Sequence, residues 1–114
     1  MTLIEAIARQ EGFNTPGTRA QRNHNPGNIR WGRFALAHGG LHGDDKQYAV
    51  FPDDATGFAA LKALLSGAPY RGATLQKALD IYAPAADGNA PDVYVKNVCT
   101  WCGCTPATII DSLI

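Results

Sequence analysis

A mainly α domain of about five helices with one small β-hairpin is what this sequence predicts. Three observations carry that prediction. Apolar residues recur at helical spacing over residues 3–11, 55–65, 75–82 and 92–102. Only residues 29–34 and 47–51 alternate in the manner of strands. The 12 glycines and 7 prolines cluster at 12–43 and 84–91, between the periodic stretches. The whole chain, 1–114, reads as a single domain with a long irregular stretch near its start.

The first helix opens on a capping box, Thr2-Leu3-Ile4-Glu5, and closes at Gly12. Ile4, Ile7, Ala8 and Glu11 share one of its faces. Next comes Asn23-His24-Asn25-Pro26-Gly27-Asn28, in which Pro26-Gly27 suits the centre of a type II turn, with positive φ at Gly27. Ile29, Trp31 and Phe34 form the outgoing strand, residues 35–43 a loop tip, and 47–51 the returning strand. Asp53 or Asp54 caps the following helix, whose stripe is Phe58, Leu61, Leu64 and Leu65. Thr74 caps another helix with Leu75, Leu79 and Tyr82 inward, stopped by Pro84. Asp87-Gly88-Asn89 is a turn, and residues 92–102 a helix burying Tyr94, Val95 and Val98 with Trp101 or Cys102. Thr105-Pro106 then begins a last helix reaching about residue 113.

Composition narrows the function. The chain is 46% hydrophobic and 18% charged, which fits a packed domain and excludes a disordered tail. Ten basic and ten acidic residues leave a formal net charge of zero, so no nucleic-acid partner is expected. No apolar run approaches the ~20 residues of a membrane span. Met1-Thr2-Leu3-Ile4-Glu5 lacks the basic start and apolar stretch of a signal peptide, which implies synthesis in the cytoplasm without one.

Of two glutamates, Glu5 has work in the capping box and Glu11 does not. A carboxylate on an apolar stripe loses solvation, which disfavours its charged form. A carboxyl group that keeps its proton is what glycosidic cleavage needs, because the leaving oxygen must be protonated as it departs. The bland alternative is a Glu11 that frays into water or pairs with Arg9, Arg30 or Arg33.

The order Glu11-Gly12-Phe13, then Asn25-Pro26-Gly27-Asn28-Ile29-Arg30 fourteen residues on, then Phe51-Pro52 with Gly57, Tyr82-Ala83-Pro84 and Tyr94-Val95, resembles the lysozyme-like superfamily. It is similar in particular to soluble lytic transglycosylases and to compact lysozyme-like domains of phages and prophages, over residues 1–104. There are departures: the serine that usually follows the transglycosylase glutamate is Gly12, and the methionine-glutamine pair is Ile29-Arg30. The resemblance implies helices around a cleft with the hairpin on one side, and Glu11 as general acid and then base. It implies cleavage of the β-1,4 bond between N-acetylmuramic acid and N-acetylglucosamine in peptidoglycan strands, by a monomer, with no metal or cofactor. It also implies action at the bacterial cell wall or periplasm, reached through a holin, a virion or a secretion machine.

Substrate-binding candidates are Asn25, Asn28, Ile29, Arg30, Tyr48, Tyr82 and Tyr94. Asn25 and Asn28 either hold the turn or bind an N-acetyl group. Tyr48 and Tyr82 offer faces for sugar rings, whereas Tyr94, like Phe51 and Phe58, also has core spacing. Asp44 and Asp45 are candidates for a second carboxylate, which a glycosidase using water needs and a transglycosylase does not. Cys99, Cys102 and Cys104 read as buried thiols at a helix end rather than a redox pair or zinc site, the three histidines lying far upstream in glycine-rich loops. Two rivals remain: an endo-N-acetylglucosaminidase or chitinase on the same fold, and a non-catalytic wall-binding virion component.

Overall fold

The computed structural model describes residues 1–43, 47–84 and 89–114. Asp44 and Asp45, and the Asp87-Gly88 part of the predicted turn, lie outside the described residues. The described chain is mainly helical, with six α-helices and a two-stranded antiparallel sheet. It divides into two compact units, Ile7–Ala63 and Met1–Ala6 with Leu64–Ile114.

α1, Leu3–Gln10, has residues 3–6 in the second of these units and residues 7–10 in the first. Its predicted capping box is present: the Thr2 amide donates to Glu5 Oε1 at 2.9 Å and the Glu5 amide to Thr2 Oγ1 at 3.2 Å. Two short helices follow, α2 (Arg19–Arg22) and α3 (Arg33–Ala37). Neither was predicted. α2 starts at Thr18, whose hydroxyl accepts from the Gln21 amide. α3 takes Phe34 out of the expected strand and replaces part of the expected loop tip. Arg, Ala and Leu are good helix formers, and a three-residue alternation was too short to outweigh them.

The outgoing strand is accordingly later than predicted. β1 is Leu41–His42, so His42 stands in a strand rather than a loop. It pairs with β2, Ala49–Val50, in the register Leu41 to Val50 and His42 to Ala49. On its other edge the returning segment still meets residues 29–31. Arg30 bridges Tyr48, the Ala49 amide donates to Ile29 O, and the Trp31 amide donates to Gln47 O. Residues 47–50 thus run between two neighbours, where the sequence suggested one.

α4, Asp54–Leu65, is capped by Asp53, whose Oδ1 accepts from the Thr56 amide at 2.8 Å and the Thr56 hydroxyl at 2.7 Å. These bonds hold the Asp53 carboxyl below its ordinary range. Phe51, Ile7, Leu61, Ala20 and Ala49 are core residues of the first unit.

In the second unit α5 (Leu75–Tyr82) is capped by Thr74 and packs against α6 (Pro91–Cys102). Leu75, Leu79, Tyr94, Val95 and Val98 are buried, as their spacing implied. Gly103, at φ 65°, ends α6 in the left-handed conformation. The predicted last helix is absent, and a single 3₁₀ turn, Ile110–Ser112, stands in its place. The Leu75 amide bonds Thr108 O and the Ile110 amide bonds Ala73 O, with Thr74 bridging Ile109. Ile109 is extended, and the bonds on either side of it, at Thr108 and Ile110, pair this stretch with residues 73–75. The run of β-branched side chains over 108–110 suits pairing better than a helix.

Candidate functional site

Glu11 follows the last residue of α1 as its C-cap. The Phe13 amide donates back to Ala8 O at 3.0 Å and the Gly12 amide to Arg9 O at 3.1 Å. This is a Schellman ending with Gly12 at φ 84°. It fixes the direction in which the chain leaves Glu11. Thr18 reinforces it, its hydroxyl donating to Gly12 O at 2.7 Å. Phe13 then sets its ring edge-on to Phe58 of α4, centroids 5.1 Å apart.

The half-buried Glu11 carboxylate meets Asn28, whose Nδ2 donates to Oε1 at 3.1 Å. A carboxylate at a helix C-terminus faces the negative end of the dipole, so a donor there offsets an unfavourable field. Asn28 reaches it from the turn predicted over residues 25–28, closed by its amide donating to Asn25 O at 3.0 Å. The type II expectation needs correcting: the left-handed residue is Asn28, φ 46°, one position after Gly27. Asparagine tolerates this conformation better than most side chains. Among the described residues Asn28 Oδ1 is buried with no hydrogen-bond partner. Strain and an orphaned acceptor thus coincide on the residue that touches Glu11.

Asn25 explains why the turn holds. It is 0% exposed, and its Nδ2 donates to Ile29 O and Ala49 O, both at 2.9 Å, while Oδ1 accepts from the Ile29 amide at 2.9 Å. A fully buried, three-bonded carboxamide cannot meet a sugar, so Asn25 belongs to the scaffold. Ile29 and Tyr94 are also buried, 7% and 3% exposed. Pro26 is buried against α4, where Gly57 lets the backbone approach. A Cβ at Gly57 would stand 2.8 Å from Pro26 Cδ, 3.1 Å from the His24 carbonyl carbon and closer still to its oxygen. His24 Nδ1 also meets Asp54 Oδ1 at 2.7 Å, an exposed hydrogen bond joining the turn to α4.

Tyr48 is half-buried, with Arg19 Cζ 4.2 Å and Arg30 Cζ 5.7 Å from its ring centre. Glu11, Asn28, Arg30 and Tyr48 therefore share one unit. Tyr82 belongs to the other, half-buried with its ring 6.2 Å from that of Tyr70. Asp44 and Asp45 have no described position.

The roles of two supporting residues, Thr18 and Gly57, were not foreseen although a signal was there. Thr18-x-x-Gln21 is spelled like a helix start, and a glycine inside a helical pattern marks a close approach. Arg19 gave no signal, because its contact with Tyr48 spans 29 positions that only folding brings together.

Among the described residues, no three of His, Cys, Asp and Glu are grouped as metal ligands. Cys99, Cys102 and Cys104 are free thiols, half-buried, and burial raises all three above the ordinary thiol range. Such thiols are poor nucleophiles at neutral pH. No protein-family model, no curated protein and no solved structure matches the chain.

Proposed function

We propose that this chain cleaves the β-1,4 bond between N-acetylmuramic acid and N-acetylglucosamine in peptidoglycan, on a lysozyme-like fold, with Glu11 as general acid and then base. The observation that carries the reading is Glu11 itself: a half-buried carboxyl group fixed at a helix end and held through Oε1 by the Asn28 carboxamide. Protonated, Glu11 gives its proton to the departing glycosidic oxygen as an oxocarbenium-like centre develops on the sugar. The carboxylate left behind takes a proton from the attacking hydroxyl, either of water or of the sugar's own 6-position. Asn28 is a positioning residue, keeping the carboxyl plane from rotating away from the bond. Tyr48, in the same unit, contributes a half-buried aromatic ring flanked by Arg19 and Arg30.

Digestion of purified peptidoglycan, read by mass spectrometry of the products, tests this. The parent chain should release muropeptides and Glu11→Gln should lose about 10²-fold or more of that rate, the usual worth of general acid catalysis. Products with 1,6-anhydro ends identify a transglycosylase, and muramic acid reducing ends a hydrolase. Reducing ends on N-acetylglucosamine would mark the other linkage. Release by Glu11→Gln within a few-fold of the parent would overturn the assignment.

A further inference from the structure

We infer that Cys99 and Cys104 are a disulfide-exchange pair, which a small organic disulfide closes into a cross-link at the end of α6. The inference is independent of the role proposed for Glu11. α6 ends in a Schellman turn. Gly103 is left-handed at φ 65°, and the Gly103 and Cys104 amides both donate to Cys99 O, the latter at 3.1 Å. Such a turn folds the residue after the glycine back onto the last turn of the helix, so that its side chain meets the one five positions earlier. Here those two side chains are thiols, and they hydrogen-bond each other.

The third cysteine is set apart by the helix. Cys102 follows Cys99 by three positions inside α6, where Cβ atoms stand about 5–6 Å apart. A disulfide needs about 3.5–4.5 Å. Cys99 also has a way in for a reagent. It lines an open cavity of about 400 Å³ with Val95, Lys96, Thr100 and Pro106, room enough for a small disulfide. Both thiols of the pair are half-buried and raised by burial, which keeps them protonated and slow until a disulfide partner arrives. The exchange runs in two displacements. The Cys99 thiolate attacks one sulfur of the small disulfide, forming a mixed disulfide and expelling one thiolate. The Cys104 thiolate then attacks Cys99 Sγ and expels the second. The two cysteine protons pass through solvent to the two released thiolates. The cysteines lose two electrons, and the small disulfide is reduced to two thiols.

The test incubates the reduced full chain with oxidised glutathione and reads intact mass and free thiols. The parent should lose two hydrogens, carry no glutathione and keep one free thiol. Alkylation of that thiol, followed by fragmentation in the mass spectrometer, should place it on Cys102. Cys102→Ser should close in the same way with no thiol left. Cys104→Ser cannot resolve the intermediate and should hold glutathione on Cys99. In urea the turn is lost, and the free thiol should spread over all three cysteines. A folded parent with that same spread would overturn the pair. So would a parent that stays reduced, accumulates glutathione without closing, or links into dimers. An internal disulfide in folded Cys99→Ser or Cys104→Ser would overturn it as well. If a variant does not fold, the position of the parent's remaining thiol decides alone.

Discussion

Gly57→Ala sets two effects of opposite sign against each other. Gly57 lies inside α4, where alanine ordinarily gains about 1 kcal/mol of helix propensity. At this position the added methyl meets backbone, standing 3.1 Å from the His24 carbonyl carbon, 2.8 Å from Pro26 Cδ and nearer still to the His24 oxygen. Neither neighbour can rotate away. Pro26 is a buried ring, and His24 leads into the turn that Asn25 fixes with three buried hydrogen bonds. Overpacking of this kind costs about 1–3 kcal/mol, and each buried bond strained in relieving it about 1 more. The clash therefore wins, with a net loss of about 2 kcal/mol, roughly 8 °C in Tm for a domain of this size. Urea unfolding followed by circular dichroism measures it. Ala59→Gly, at an exposed position of the same helix, calibrates propensity alone and should lose about 1 kcal/mol. Because the turn carries Asn28 to Glu11, the activity of folded Gly57→Ala should fall as well. A Gly57→Ala chain as stable as the parent would refute the close approach of α4 to the turn.

Asn28→Gly should fold at least as well as the parent, since glycine accepts the left-handed conformation and removes the buried Oδ1, while turnover falls about tenfold or more; unchanged turnover in a stopped digestion assay would return Asn28 to a purely structural role. Asn25→Ala should lose about 2–5 kcal/mol, because two backbone carbonyls and one amide lose their buried partner, and a loss under 1 kcal/mol in urea titration would contradict the scaffold assignment. Alkaline stability follows from burial of Tyr70 and the three thiols, all of whose pKa values are raised. The folded chain holds these protons more tightly than the unfolded chain, so stability is full below their unfolded values, about 8.5 for cysteine and 10 for tyrosine, and falls as pH rises through the folded ones. Tyr70→Phe should match the parent near pH 7 and lose less of its Tm between pH 9 and 11; parallel Tm curves would refute it. Asp53 behaves oppositely: its lowered pKa means that its cap is intact above about 3.9 and lost as pH falls through the folded value, a loss that Thr56→Val should blunt in an acid titration.

By itself the sequence determined what depends on neighbours along the chain. The capping box at Thr2 and Glu5, the Gly12 ending, the Asp53 and Thr74 caps and the buried Leu61 and Leu65 of α4, Leu75 and Leu79 of α5 and Val95 and Val98 of α6 are local, since helical spacing and a cap need only four to seven consecutive residues to be read. Glu11 stood out for the same reason, as a carboxylate on a face otherwise apolar. Tertiary structure alone decided what each polar residue of the 25–28 turn does. Asn25 and Asn28 carry the same side chain three positions apart, yet one is enclosed by Ile29 and Ala49 and the other reaches Glu11. It also decided that residues 108–110 pair with 73–75 instead of coiling, and that Arg19 and Arg30 meet at Tyr48. Those outcomes depend on groups 17 to 37 residues apart in sequence, whose hydrogen bonds and stacking exist only once the chain has closed around them, and no window of local propensity contains them.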